Sequence, residues 1–230
     1  AAKDDKEGFR STFSHATRLV LLFTVPASVG LIVLAEPIVR LVFERGRFQP
    51  YDTEQVAAAL VFYSLGLFSY ALVKIVTDGF YALQDLRAPL VVSLLTLVSN
   101  ALLNWLFISV LDMDHRGLAL ATSCTMTLSL GGLWLLLRRR SGLKGLGGRA
   151  AAVMLAKMIL ASTVMGVTAA VTSRWVGSWL GHEVFLTRLV QVGASIGAAV
   201  AVLYFICRLL RVHEMDQALR AFSPAGLGWR

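Results

Sequence analysis

Charged residues are scarce in this sequence. Asp, Glu, Lys and Arg make up 16% of its 230 residues, whereas a soluble domain averages about 25%. The few charges gather in short clusters between long apolar runs, and mean hydropathy is +0.69. That pattern excludes an ordinary soluble domain. Cysteine is nearly absent as well. Cys124 and Cys207 each lie inside an apolar run without CxxC spacing, so no disulfide framework or metal site follows. Aromatic residues do not interleave with the basic clusters, so the net charge of +8 does not read as a nucleic-acid surface. No Ser/His/Asp arrangement, HExxH or Walker loop occurs, and no cofactor is implied. Asp112, Asp114 and His115 imitate a metal triplet but read as a solvated turn. His182 and His213 fall in loop and tail. No methionine or signal peptide precedes Ala1-Ala2-Lys3, so the chain reads as part of a longer protein.

What is abundant is apolar length. About 20 residues cross a bilayer as a helix, and six stretches qualify: Phe13–Ala35, Val56–Tyr81, Pro89–Leu111, Gly117–Leu137, Ala150–Thr172 and Val184–Leu210. The expected class is an all-α integral membrane protein. Pro26 falls within the first span, where membrane helices tolerate it. Glu36 to Gly46 is amphipathic and too short to cross, and predicts an interfacial helix stopped by Gly46. Asp52 or Thr53 is the expected cap of the second span. Gly193 and Gly197 form a GxxxG pair that suggests close helix contact in the last span. The basic, glycine-containing stretch 141–149 divides the chain into 1–140 and 150–230. Lysines and arginines crowd the N-terminus, the 82–88 loop, the 138–149 loop and the tail. That bias predicts both termini in the cytoplasm.

One span carries the main chemical signal. Along the second, Tyr63, Gly66, Tyr70, Lys74, Thr77 or Asp78, Tyr81 and Asp85 recur every three or four positions, on one face of a helix. A cation in hydrocarbon costs at least about 2.5–3.5 kcal/mol, so Lys74 calls for an anion or a wet cavity. Arg18 enters the first span at similar depth, beside His15. A guanidinium and an ammonium facing one cavity suit a phosphate or diphosphate. Snorkelling to the interface is the competing reading for both, and a local Lys74–Asp78 pair at i+4 is another. Lys157 lacks a polar stripe, and snorkelling is its default. Asn100 and Asn104, with Ser93 and Thr96, line one face of the third span. Thr122, Thr125 and Ser129 do so on the fourth. Cavity lining and interhelical hydrogen bonding both fit these stripes.

Four stretches resemble a known family. They are Thr17-Arg18-Leu19 leading to Pro26-Ala27-Ser28-Val29-Gly30-Leu31, then Leu41 to Phe48, then Leu72-Val73-Lys74 with Gly79-Phe80-Tyr81-Ala82, and Gln84 to Pro89. Together they are similar to the lipid II flippases of the MurJ/MviN type, in the multidrug/oligosaccharidyl-lipid/polysaccharide exporter superfamily. The resemblance implies a fourteen-helix fold, of which this chain would supply the last four spans of the second six-helix lobe and the two C-terminal helices. It implies a flippase, not an enzyme, in the bacterial inner membrane. Its substrate would be lipid II, carried across by alternating access. Its partners would be membrane lipid and a missing N-terminal lobe, without which this chain should not transport. Arg18 and Lys74 would bind substrate, with Tyr70, Asp78, Asn100 and Asn104 lining the cavity. Where the family often has Ala-Pro before Gly-Phe, this chain has Thr77-Asp78, so the helix is expected to run straighter. Related readings are a flippase for another polyprenyl-linked oligosaccharide or a drug exporter. A non-transporting scaffold for cell-wall enzymes is a reading of another class. A membrane transferase would need paired carboxylates, and Asp78 and Asp85 have no partner.

Overall fold

The computed structural model describes residues 2–140, 148–180, 185–210, 212, 214 and 215. Seven helices run through them: α1 (Ala2–Val33), α2 (Ala35–Phe43), α3 (Pro50–Ala82), α4 (Arg87–Ser109), α5 (Asp114–Arg140), α6 (Gly148–Leu180) and α7 (Phe185–Leu209). All but α2 are long and apolar enough to cross a membrane. These are the six expected spans, and most outrun the apolar stretch because a helix loses nothing by continuing into water. Positions 141–147 of the expected basic linker lie outside the described residues, and α6 has begun by Gly148.

Local sequence explains the joints. The nine residues of α2 reach only about 13 Å, too short for a bilayer. Glu36 in its first turn pairs with Arg40 in its last at 2.6 Å, and the chain reverses at Gly46 with φ of 63°. A left-handed residue is where glycine costs least. The cap of α3 differs from expectation. Gln49 is the N-cap, Pro50 opens the helix, and the Asp52 carboxylate accepts the Gln49 backbone N–H at 2.9 Å. Thr53 is turned elsewhere and donates to the Glu44 carboxylate at 3.0 Å. Proline at the first helical position has no N–H to satisfy, which moves the cap one residue upstream. α3 is one continuous helix to Ala82. Asp85 then accepts the N–H groups of Arg87 and Ala88, each at 3.2 Å, and starts α4. The Gln84-to-Pro89 motif is thus a turn with a built-in cap.

The spans pack in the neighbour order α4, α5, α3, α1, α6, α7, with α2 against α3 and α7. Small residues set the close contacts. A Cβ on Gly66 would lie 2.6–2.9 Å from Ser123 atoms of α5, and one on Gly166 would lie 2.8 Å from Val29 of α1. Phe80 is fully buried with Phe13, Val76, Leu133 and Leu137. The GxxxG of α7 does not make such a contact. Gly193 and Gly197 meet nothing within 4 Å, and α7 instead buries Gln191, Val192, Ser195 and Ala199. That face wins because Gln191 must satisfy its amide, which donates to the carbonyl and hydroxyl of Ser173 at 3.0 and 3.1 Å. At the other end of the row, α4 packs mainly on α5 and leaves Leu94, Leu95, Leu97, Val98 and Leu102 exposed.

Candidate functional site

The candidate site residues fall into three separate places. The first is the outer face of α3. Gly66, Ser69, Leu72, Val76 and Phe80 are buried against α1 and α5. The opposite face leaves Tyr63, Tyr70 and Tyr81 half exposed or more, with Lys74 and Asp78 exposed between them. Neither Lys74 nor Asp78 has a hydrogen-bond or ion-pair partner among the described residues, so the local i+4 pair does not form. An open stripe of three phenols and an uncompensated ammonium in an apolar helix can hold an anion with a hydroxylated or aromatic-stacking body.

The second place is between α4 and α5. Asn104 donates to Asn100 at 3.0 Å, Asn100 donates to the Thr125 hydroxyl at 3.4 Å, and Thr125 donates to the Ala121 carbonyl at 2.6 Å. The two stripes meet each other. The Asn104 side-chain oxygen remains buried without a partner.

The third place joins α1 to the chain beyond α7. Arg18 pairs with Glu214 at 3.1 Å, the arginine one-third exposed and the glutamate mostly buried. Nearby, the Lys157 ammonium donates to the Leu210 carbonyl at 2.9 Å, so it closes the C-terminal end of α7, where a cation is favoured. Lys157 is not simply snorkelling.

The structure does not bring Arg18 and Lys74 together. Leu72 packs in one cluster with Leu21, Leu22 and Val25 of α1. Lys74 is two residues, or about 200°, around α3 from Leu72 and points away from that cluster. Arg18 shares the Leu21–Leu22–Val25 face and turns to the α7 end. Sequence reasoning missed Glu214 because it lies past the last span. The available signal was an acid just beyond that span, on the same side as Arg18. It also missed a network on the far side. There Arg188 pairs with Glu44 at 2.8 Å, Glu44 accepts from Thr53, and Arg188 donates to the Arg40 and Glu44 carbonyls.

With this arrangement established, comparison with known proteins identifies the family. A sequence profile described as lipid II flippase MurJ matches residues 1–190. The chain belongs to the MurJ lipid II flippase family. It is 31% identical over 207 residues to a probable lipid II flippase MurJ of Rickettsia prowazekii (strain Madrid E), covering 90% of this chain and 40% of that one. A protein of the same description from Vibrio cholerae is 33% identical over 212 residues, covering 91% and 39%. A solved structure of a lipid II flippase MurJ in an inward closed conformation shares the fold, with TM-score 0.69 and 24% identity over 90% of this chain and 41% of that chain. The chain therefore spans about two fifths of the length of these MurJ relatives. Family membership and six apolar helices make it a multi-pass membrane protein of the bacterial inner membrane.

Proposed function

We propose that the full-length protein containing this chain is a lipid II flippase. It moves an undecaprenyl-diphosphate-linked glycan from the cytoplasmic to the outer leaflet by alternating access, and it acts as a transporter rather than an enzyme. In this reading residues 1–140 belong to a transport lobe and 150–230 to a terminal helix pair, with both termini cytoplasmic. The observation that carries it is Lys74. An ammonium with no ion-pair partner among the described residues, flanked by Tyr70 and Tyr81 on an exposed face of α3, calls for a wet cavity and suits an anionic occupant. A preceding lobe closing against this face supplies the cavity. Tyr70 and Asp78 line it, and Lys74 engages the diphosphate as a point charge. Arg18 engages it only by exchanging Glu214 for the phosphate oxygens, a swap of one anionic partner for another. Asn100 and Asn104 contribute by holding α4 to α5.

The test is rescue of flippase-depleted cells by full-length protein carrying Lys74→Ala or Arg18→Ala, each checked for normal membrane level. Lys74→Ala is expected to abolish rescue and Lys74→Arg to restore part of it. Full rescue by Lys74→Ala would overturn the assignment. If Arg18→Ala and Lys74→Ala both rescue while substitutions in the exposed loops do not, a scaffold role takes its place. Capture of labelled lipid II by the purified protein separates this substrate from other polyprenyl-linked glycans.

A further inference from the structure

On the side opposite the termini, α2 stands off from the α6–α7 pair and leaves a cavity of about 450 Å³. Three arginines line it, one from each helix: Arg40, Arg174 and Arg188. Among the described residues, two carboxylates pair with them. Glu36 pairs with Arg40 at 2.6 Å, and Glu44 pairs with Arg188 at 2.8 Å. Glu44 lies 3.8 Å from the Arg40 Nε, too far for a hydrogen bond, and that Nε is buried without an acceptor. Arg174 has no hydrogen-bond or ion-pair partner among the described residues. Arg174 thus brings to the cavity a guanidinium whose donors are unused among the described residues. Its remaining polar wall is already satisfied, since Gln191 and Ser173 bond each other. An incoming group meets arginines and little else that needs partners.

The depth of the cavity names the source of the anion. The two residues flanking it on α6, Trp175 and Trp179, are among the most exposed large side chains and lean together with ring centroids 5.5 Å apart. Exposed tryptophans of a spanning helix settle at headgroup level. Arg174 adjoins this pair, and α2 is an amphipathic helix of interfacial length. The arginines therefore open at the level of phosphates, not of acyl chains or bulk water.

We propose that this cavity seats the phosphate of an anionic phospholipid from the leaflet opposite the termini, tying α2 to the terminal helix pair. Arg174 donates to the phosphate oxygens, and Arg40, held by Glu36, adds positive field. Arg188, held by Glu44, supplies positive field. Unlike the Lys74 face, this site lies within one chain segment and does not depend on what the protein transports.

The experiment uses the full-length protein in nanodiscs of phosphatidylcholine with 10–20% (about one lipid in five to ten) phosphatidylglycerol, followed by native mass spectrometry for retained lipid. Arg174→Gln is compared with wild type, Arg174→Lys, and Arg208→Gln as an equally basic change on the other side. Arg174→Gln is expected to lower phosphatidylglycerol retention by about fivefold, the contribution of one basic side chain at an anionic surface. Arg174→Lys should restore most of it, and Arg208→Gln should change nothing at this site. Equal retention by Arg174→Gln and wild type would overturn the proposal. So would an equal loss in Arg208→Gln, which would mean nonspecific charge attraction. Inorganic phosphate and diphosphate are added as competitors. Displacement of the retained lipid by millimolar free anion would reassign the cavity to a soluble phosphate and overturn the lipid assignment.

Discussion

The two faces of α3 are made of similar apolar sequence and do opposite things. One face carries Gly66, Ser69, Val76 and Phe80 into contact with α1 and α5 and is buried. The other carries Tyr63, Tyr70, Lys74 and Tyr81 and is open. The buried face is the one that holds Ser64, Gly66 and Ser69 beside Phe80, and the open face is the one with three tyrosines. In lipid, apolar area does not drive helices together, so close approach and hydrogen bonds decide which face is covered. Ser123 illustrates this: its hydroxyl donates to the Phe62 carbonyl across the Gly66 contact. The lesson is that small polar residues and glycine mark the packed side of this spanning helix, and a cation on the other side marks a surface kept free for something other than lipid.

Substitutions on each face sharpen or break that contrast, measured as thermal stability of the purified full-length protein in detergent. Gly66→Leu should have the largest effect. A Cβ there already meets the Ser123 Cα at 2.8 Å, so the helices must separate, and the change should exceed the usual overpacking cost of about 1–3 kcal/mol. An unchanged melting temperature would show that the α3–α5 contact is not tight. Phe80→Ala should follow, costing about 3 kcal/mol through the void left among Phe13, Val76 and Leu137. Tyr70→Ala should have the smallest effect, within about 0.5 kcal/mol, because the side chain is 64% exposed. A large loss at Tyr70 would mean that the open face is packed in the whole protein. That result would remove the cavity on which the role of Lys74 rests.

Much of this was legible in sequence because it is local. Span number and the interfacial helix follow from apolar run length; that helix ends at Phe43, before the expected stop, and Gly46 supplies the left-handed turn that follows. The grouping of Tyr63, Tyr70, Lys74 and Tyr81 follows from helical period alone, although the same period also placed Gly66 with them and packing buried it against Ser123. The Asp52 capping contact was visible as a residue, but its role was misplaced because Pro50 shifts the cap to Gln49. The GxxxG of α7 failed for a different reason. A small-residue motif states that a close approach is permitted, and a neighbour must still choose that face; Gln191 and Ser195 directed α7 elsewhere.

Run length and periodicity, properties of each helix by itself, were enough to determine a six-span membrane chain and the face on which each polar side chain lies. Only the tertiary structure decided which way those faces turn. Rotation of a helix about its axis costs nothing until neighbours are in place, so the partners of Arg18, Lys157 and Arg188 emerged only on packing. Glu214, the Leu210 carbonyl and Glu44 are distant in the chain and adjacent in space. The same packing left Lys74 without a partner among the described residues.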